Sequence, residues 1–316
     1  PEMSKKIIFF GTPPFAVKCL EKIVKEEFNI VAVVTAPDRP AGRGRQIKTS
    51  AVKQFAVVRN LPVLQPFNLK DPEFIEQLKA LEPDLMVVVA FRMLPKRVWS
   101  IPYTGTFNLH ASLLPDYRGA APINWSIINQ EKYSGVTTFF INEEIDTGAT
   151  LLQEKVKIEQ KDTAGSLNDK LAEKGSALIC KTIKGIFDKS VSPKKQKTKG
   201  SEKAAPKLNK ENIFIDWDQP LEAIEAKIRG LSPYPGARCN WIEEDKSAVI
   251  KIFEAEIIKE NHNFESKQVI IKNKTILIAH PAGFLKCKVL QFPNKKQMSV
   301  FDLLNGNTFF NKIEVS

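Results

Sequence analysis

The chain contains 316 residues with a mass of 35.6 kDa, about twice the ~150 residues of a typical domain, so we expect two domains. Hydrophobic residues make up 43% and charged residues 26%, a balance typical of globular proteins that excludes a disordered or collagen-like chain. The formal net charge is +11, and no apolar run approaches the ~20 residues that span a bilayer, so we expect a cytoplasmic protein with no membrane partner.

The first third of the chain alternates short apolar runs with amphipathic stretches. Near-continuous apolar runs are typical of strands covered by helices on both faces, and they lie at 6–10, 29–35, 84–91 and 106–111. Helical spacing marks the stretches between them, at 15–27, 49–60 and 71–82. This alternation predicts an open, mostly parallel α/β sheet, in which ligands bind at the carboxyl ends of the strands.

The pattern changes further along the chain. Two more strands are predicted at 133–144 and 149–158, and a long helix follows them at 163–189. The last third contains one predicted helix, at 220–231, and strands that turn signals separate, at 247–258, 267–279 and 284–292. Strands of this kind predict a small OB-like β-barrel, a fold that hosts oligonucleotide contacts.

A basic linker is predicted at 189–210, between an α/β domain over 3–188 and a barrel domain over 211–316. The linker carries eight lysines against the single Glu202, a net charge of +7, whereas 211–316 carries 14 basic and 14 acidic residues. Because the linker has no aromatic residue, it cannot bury enough surface to offset the entropy of ordering. Two interpretations stay open: a solvated spacer, or an arm that contacts phosphates without reading sequence.

Missing motifs exclude several cofactors. The turn after the first strand, GTPPFA, has Gly11 as its only glycine, so the G-x-G-x-x-G of NAD-binding proteins is missing, and no P-loop occurs. The four cysteines are irregularly spaced, and the three histidines lie outside any carboxylate cluster. We therefore expect no NAD, no metal site and no disulfide, with buried free thiols instead.

A candidate catalytic group lies where the predicted central strands end. Asn108 and His110 are two residues apart in one strand, so their side chains leave the same face. Asp146 follows one hairpin later, directly before a Thr-Gly turn. Each alone is an ordinary structural residue, but together they supply an amide donor, an imidazole and a carboxylate. That set suits acyl transfer through a tetrahedral intermediate.

Acyl transfer from one nitrogen to another explains why these residue types are wanted. The reaction builds negative charge on the carbonyl oxygen and takes a proton from the attacking amine. Asn108 is a neutral donor to that oxygen. His110 either donates to the oxygen or carries a proton, and Asp146 either orients the imidazole or accepts the amine proton through water. Because no serine or cysteine beside them has an evident base, we expect direct transfer without a covalent intermediate.

The same residues carry a resemblance to a known family. The motif N-L-H-x-S-L-L-P-x-x-R-G-x-x-P, which starts at Asn108, and the later I-D-T-G resemble the 10-formyltetrahydrofolate-dependent formyltransferases. The resemblance extends over essentially the whole chain, through GTPPFA, TAPDRPAGRGR, IDTGATLL and LNKENIFIDW. It implies a Rossmann-like first domain, an OB-like second domain, and Asn108, His110 and Asp146 as the catalytic residues.

The resemblance also implies the co-substrate, 10-formyltetrahydrofolate, and part of its site. The segment assigned to the folate consists of Ser112, Leu113, Leu114 and Pro115. Many relatives carry a Y-G-x-I-L-P loop after the third strand, whereas this chain has Phe91 to Leu94 before Pro95, without the glycine. Arg92 in that loop either contacts the carboxylate tail of the folate or lies in solvent, and we expect solvent.

A basic loop after the second strand indicates which kind of acceptor receives the formyl group. The loop contains Arg39, Arg43, Arg45 and Lys48. In tRNA-directed members of the family the corresponding loop enters the acceptor end of the tRNA. This implies transfer to the α-amino group of methionine on initiator methionyl-tRNA. The alternatives are a small amine, in a sugar nucleotide or purine precursor, and a non-catalytic RNA-binding module. The basic loop and linker favour a long anionic partner, and the family implies a monomer.

Overall fold

The computed structural model describes residues 4–309 and 312–316, which form two compact units. The first unit contains the chain up to Gly119, together with Ser134–Lys157 and Asn168–Ala204. The second contains Ala120–Tyr133, Ile158–Leu167 and the chain from Ala205 onward. The domain boundaries predicted from the sequence stay a prediction.

Up to residue 205 the structure contains every strand and helix that the sequence predicted there. In chain order the elements of this part are β1 (Lys6–Gly11), α1 (Pro14–Lys25), β2 (Asn29–Val34), β3 (Arg39–Ala41), β4 (Gln46–Lys48), α2 (Ala51–Val58), β5 (Val63–Leu64), α3 (Pro72–Ala80), β6 (Leu85–Val89), α4 (Lys96–Trp99), β7 (Thr106–His110), β8 (Arg118–Gly119), α5 (Pro122–Ile128), β9 (Tyr133–Phe140), β10 (Thr150–Lys157), α6 (Ala164–Phe187) and β11 (Ala204–Ala205). The elements that the sequence did not predict are short, and short elements have little periodicity of their own.

Seven strands form the main sheet, in the order β10-β9-β7-β6-β1-β2-β5. The pairs β1–β2, β1–β6, β2–β5 and β6–β7 are parallel, whereas β7–β9 is antiparallel. The prediction of an open, mostly parallel Rossmann-like sheet is therefore confirmed. Strand order reverses at β1, and ligands bind beside such a reversal at the carboxyl ends of the strands.

Burial explains why these residues form strands. All five residues of β6 are buried, and Ile7 to Phe10 of β1 have no solvent exposure. Strands covered on both faces by helices need such continuous apolar sequence. Helix α6 approaches β7 closely, since a Cβ at Gly175 would lie 2.5 Å from Leu109 Cδ2. Leu109 alternates with Asn108 and His110, so α6 covers the face of β7 opposite those two side chains.

The second unit contains a β-barrel together with helix α5 and two helices that follow residue 205. After residue 205 the elements are α7 (Leu221–Gly230), β12 (Ala237–Glu243), β13 (Lys246–Lys259), β14 (Val269–Lys272), β15 (Thr275–His280), β16 (Gly283–Gln291), β17 (Met298–Ser299), α8 (Val300–Gly306) and β18 (Ile313–Val315). The strand order is β14-β15-β16-β13-β12-β18, and an antiparallel bridge between Gln268 and Glu314 brings the two ends of this sheet together. The predicted OB-like barrel is confirmed. Helix α5 belongs to this unit because Asn124 Nδ2 donates to the carbonyl of Gly230 in α7, at 2.8 Å.

Cys19, Cys180, Cys239 and Cys287 are all buried and free. The expectation of buried thiols is therefore confirmed. Burial raises the pKa of Cys180 to about 11 and that of Cys287 to about 12. Within residues 4–309 and 312–316, no helix is both long and apolar enough to cross a membrane.

The cysteines provide a test of this packing. At about pH 8, near the ordinary thiol pKa, the folded protein should not react rapidly with an aromatic disulfide reagent, because a raised pKa keeps each thiol protonated and burial blocks access. Four thiols should react once guanidinium chloride unfolds the chain. Rapid reaction of any cysteine in the folded protein would contradict the packing.

Candidate active site

His110 ends strand β7 and is 7% exposed. Its Nε2 lies 2.7 Å from the carbonyl oxygen of Tyr117. Because a carbonyl oxygen only accepts, Nε2 carries the proton and donates it. In the neutral ring Nδ1 is therefore unprotonated, and it is the nitrogen that is left to accept a proton.

Asp146 faces that nitrogen. Its Oδ2 lies 3.7 Å from His110 Nδ1, and the two side chains are only 10% and 9% exposed. The distance is too long for a hydrogen bond, and Oδ2 instead accepts from the backbone N–H of Gly119 at 2.9 Å. A proton placed on Nδ1 would lie between the ring and the carboxylate, where the low local dielectric strengthens their attraction.

Asn108 lies two residues before His110 in β7 and is partly buried. Its side-chain oxygen, Oδ1, is buried and has no hydrogen-bond partner among the described residues. Such an unpaired atom costs about 1–3 kcal/mol, so it is uncommon unless a ligand supplies the missing partner. Asn108 and His110 thus share one strand end, and Asp146 joins His110 from the loop after β9.

The loop that carries Asp146 has a demanding backbone. Asp146 has φ +55°, in the left-handed region. A Cβ at Gly148 would lie 1.6 Å from the carbonyl oxygen of Phe140, so only glycine fits there. The Thr147 hydroxyl donates to Asn142 Oδ1 and to the carbonyl of Glu144, both at 3.0 Å. The Asp-Thr-Gly sequence is therefore a requirement of the turn as well as a source of the carboxylate.

Sequence reasoning missed the groups that hold the histidine and the aspartate. Tyr117 and Gly119 act through backbone atoms, and Arg118 Nε donates to the carbonyl of Asp146 at 3.2 Å. The D-Y-R-G stretch that follows Pro115 was the available signal. Gln196, which also contacts the Asp146 loop, had no signal because it lies among the lysines of the predicted linker.

The segment assigned to the folate is bonded to its own chain. The Ser112 hydroxyl donates to the carbonyl of Asp116 at 2.6 Å, and the Thr137 hydroxyl donates to the carbonyl of Ser112 at 2.7 Å. The carbonyl of Leu114 accepts from Gln153 Nε2 at 3.1 Å. Leu113 and Pro115 are partly exposed. The polar groups of this segment therefore shape the site, and its apolar side chains are the parts left to contact a ligand.

Arg92 is exposed, and its guanidinium is held in place by its own chain. It donates to the carbonyls of Pro66 and Phe67, at 2.9 and 3.1 Å, and lies over the Phe91 ring. A few residues further on, Lys96 Nζ pairs with Glu143 Oε1 at 2.9 Å. This ion pair joins the first residue of α4 to the loop that carries Asp146.

The basic loop is a two-stranded antiparallel hairpin of β3 and β4, in which Arg39 pairs with Lys48. Every residue from 39 to 48 is exposed, so Arg43 and Arg45 project into solvent with them. Gly42 and Gly44, with φ +74° and +90°, form the turn. At the hairpin base Asp38 accepts from Lys53 Nζ at 2.5 Å and from Gln65 Nε2 at 2.8 Å, and these hydrogen bonds lower the pKa of its carboxyl group.

A cleft of about 570 Å³ opens beside the Asp146 loop. Its walls include Arg118, Thr147 and Gln196, and it also contains Glu143 and Lys195. Asn108 and His110 do not line it. Among the described residues, no three His, Cys, Asp or Glu side chains form a group able to hold a metal ion.

Comparison with known proteins gives the family. A formyl transferase model matches residues 5–183, and a model of the formyl transferase C-terminal domain matches residues 207–308. The chain belongs to the formyl transferase family. The methionyl-tRNA formyltransferase of Flavobacterium johnsoniae is 51% identical over 98% of each chain. The enzyme of the same name from Bacteroides fragilis is 45% identical over 95% of this formyl transferase and 94% of its own chain.

Solved structures share the fold at lower identity. HypX from Aquifex aeolicus, in complex with tetrahydrofolic acid, is 16% identical with a TM-score of 0.66. The match covers 96% of this formyl transferase but only 47% of HypX, so the chain spans about half the length of that protein. An N-formyltransferase from Helicobacter canadensis, in complex with folinic acid and dTDP-3-aminofucose, is 22% identical with a TM-score of 0.65 over 90% and 99% of the two chains.

The Asp-Thr-Gly turn provides a test of the site. Gly148→Ala forces a Cβ into the Phe140 carbonyl, so the loop must move and carry Asp146 with it. We expect a loss of formyl-transfer rate of about a hundredfold, typical of a displacement near 1 Å, and a lower melting temperature. Gly306→Ala is the matched control, because a Cβ there meets nothing within 4 Å. Equal activity in the two variants would contradict the account of the turn.

Proposed function

We propose that this formyl transferase moves the formyl group of 10-formyltetrahydrofolate to the α-amino group of methionine on initiator methionyl-tRNA. Relatives that bear the name methionyl-tRNA formyltransferase match it over almost their whole length. The observation that supports this reaction most directly is the 3.7 Å distance between Asp146 Oδ2 and His110 Nδ1. His110 lies two residues after Asn108 in the same strand.

Asn108 stabilises the oxygen of the formyl group in this proposal. The attacking amine converts the planar formyl carbon into a tetrahedral centre, and its oxygen gains negative charge. The Asn108 amide donates a hydrogen bond to that oxygen, and loss of one such donor costs about 2.7–4 kcal/mol of transition-state stabilisation. The unpaired Oδ1 of the same amide is free to accept from the amine N–H, so both ends of the side chain have a use.

His110 and Asp146 handle the proton. The amine loses one proton as its bond to carbon forms, and the folate nitrogen gains one as its bond to carbon breaks. Tyr117 occupies Nε2, so the proton enters the pair at His110 Nδ1 or at the Asp146 carboxylate facing it. Asp146 Oδ2 keeps its hydrogen bond from Gly119, which orients the carboxylate while the proton moves. Transfer of this kind contributes about 10²–10⁴ in rate.

In this proposal the folate is bound mainly through apolar contacts with a wall that fits its shape. Ser112, Leu113, Leu114 and Pro115 form one wall, and Leu113 and Pro115 supply its apolar contacts because the polar groups of Ser112 and Leu114 are bonded within the chain. A single neutral donor and a proton pair are what formyl transfer between nitrogens requires. The proposed reaction therefore involves neither a metal nor NAD.

The acceptor is tRNA in this proposal, and a sugar nucleotide or purine precursor is not favoured. The exposed cationic hairpin, with Arg39, Arg43, Arg45 and Lys48, projects a row of charge suited to phosphates. Two solved structures named as sugar formyltransferases share only 18% and 22% identity with this chain. We also propose that the protein acts in the cytoplasm, where translation initiation takes place, and that it is a monomer, as the family resemblance implies.

Loss of the catalytic side chains tests the assigned roles. We expect Asn108→Ala to lower kcat/KM for methionyl-tRNA by about 10²–10³, and His110→Ala to lower it by about 10²–10⁴. The measurement is transfer of labelled formyl from 10-formyltetrahydrofolate to purified methionyl-tRNA. Asn29→Ala, an exposed residue at the amino end of β2, is the control. Wild-type rates in Asn108→Ala and His110→Ala would refute their roles.

The hairpin tests the choice of acceptor. We expect Arg43→Ala to raise the KM for methionyl-tRNA and to leave folate affinity unchanged. Replacing all four basic residues should also flatten the dependence of log KM on log salt concentration, by about 0.7–0.9 for each phosphate that is no longer neutralised. An unchanged salt slope would mean that the hairpin binds no phosphate. Folate turnover with a sugar nucleotide and no tRNA would favour the alternative acceptor.

A further inference from the structure

Part of the predicted linker is ordered against the active-site loops of the first unit. Lys194 forms an antiparallel bridge with Thr150, with both N–H to carbonyl distances at 2.8 Å. At the other end, the carbonyl of Lys203 accepts from the N–H of Tyr117 at 2.6 Å. The segment from Lys194 to Lys203, here called the brace, therefore contacts the chain beyond Asp146 and the residue whose carbonyl binds His110.

Gln196 is the polar contact in the middle of this brace. It is partly buried, whereas Lys195 and Lys197 on either side are exposed. Its Nε2 donates to the carbonyls of Asp146 and Gly148, at 2.8 and 2.9 Å. Its Oε1 accepts from Arg118 Nη2 at 2.7 Å. Both ends of the amide are thus used, and one residue joins the brace to the catalytic loop.

The contacts of Gln196 close a small network around the backbone of Asp146. The carbonyl of Asp146 accepts from Gln196 Nε2 and also from Arg118 Nε, at 3.2 Å, while Gln196 and Arg118 bond to each other. Asp146 has φ +55°, in the left-handed region that non-glycine residues adopt less readily. Gln196 and Arg118 therefore hold the backbone of Asp146, whereas the N–H of Gly119 holds its carboxylate.

We propose that Gln196 is a positioning residue for formyl transfer, which holds Asp146 at His110 Nδ1 by fastening the brace to the Asp146–Gly148 turn. The inference rests on the proposed function. The lysines of the brace are suited to binding RNA phosphates. The same segment therefore both attracts the acceptor tRNA and aligns the carboxylate of Asp146. Gln196 touches neither substrate nor reacting atoms in this role.

The charges and hydrogen bonds within the brace are consistent with two roles, phosphate binding and the positioning of Asp146. The exposed lysines, at 194, 195, 197 and 199, carry the positive charge. Glu202 turns its carboxylate onto the N–H groups of Lys199 and Gly200, which lowers its pKa and closes a turn. The neutral Gln196 makes the inward contact. A substitution of Gln196 by another neutral residue therefore changes the anchor and leaves the number of phosphate-binding charges unaltered.

Two substitutions separate anchoring from packing. Gln196→Ala removes the whole amide, and Gln196→Glu keeps its size and its acceptor for Arg118 but places carboxylate oxygens against two carbonyls. In both variants we expect kcat to fall about ten- to a hundredfold, and in Gln196→Ala, which leaves the charge of the brace unaltered, we expect the KM for methionyl-tRNA to change by less than about twofold. Lys197→Gln should do the opposite, raising the KM and sparing kcat. Gln77→Ala, an exposed glutamine of α3, is the matched control.

A spectroscopic readout distinguishes positioning from a loss of folding. The chain has only three histidines, and His262 and His280 belong to the second unit. In full-length protein with ¹⁵N-labelled histidine, Gln196→Ala should shift the Nδ1 signal of His110 and leave those of His262 and His280 unchanged. A variant that merely loses stability would lose intensity from native signals without a selective shift at His110.

The outcomes separate this inference from the proposed function. Wild-type protein that transfers no formyl group to methionyl-tRNA would overturn the proposed function. Active wild-type protein with normal kcat in Gln196→Ala, or with an unshifted His110 signal, would overturn the positioning role alone. A reduced kcat in Gln196→Ala with full activity in Gln196→Glu would also overturn it, because the donor to the two carbonyls is then dispensable.

Discussion

The hydrogen bond from His110 Nε2 to the carbonyl of Tyr117 decides how this site is able to work. It commits one ring nitrogen to the backbone, so any proton that the neutral ring accepts has to bind at the other nitrogen, Nδ1. That nitrogen faces the carboxylate of Asp146 across 3.7 Å in surroundings from which water is largely excluded. The neighbouring chain therefore has to hold Asp146 in position opposite His110 Nδ1.

The surrounding structure secures that position from several directions. Gly175 of α6 allows the helix to approach Leu109 and supports β7 from the face opposite His110. Gly148 allows the chain to turn beneath the carbonyl of Phe140. The Gly119 N–H orients the carboxylate, and Arg118 meets the carbonyl of Asp146. At Gly175 and Gly148 the residue type follows from close approach, which leaves no room for a Cβ.

The sequence predicted the fold where periodicity was long, and it identified candidate site residues where strand alternation decides which side chains share a face. Continuous apolar runs such as β6 predict a covered parallel sheet, and Asn108 and His110 follow from strand alternation. Backbone contacts leave no such mark, so the carbonyl of Tyr117 and the N–H of Gly119 were not foreseen. The lysine-rich stretch around Gln196 suggested a solvated linker. Composition indicates only the average burial of a segment, so it does not reveal a single side chain that faces inward.

The central claim is that Asn108, His110 and Asp146 surround the carbon that changes nitrogen. A crystal structure with a 10-formyl folate analogue that cannot release its formyl group tests this most directly. We expect the formyl oxygen at about 3 Å from the Asn108 amide, and the formyl carbon on the side of the ring where His110 Nδ1 faces Asp146. A formyl group bound on the far side of the ring, beyond hydrogen-bond reach of Asn108, would contradict that claim.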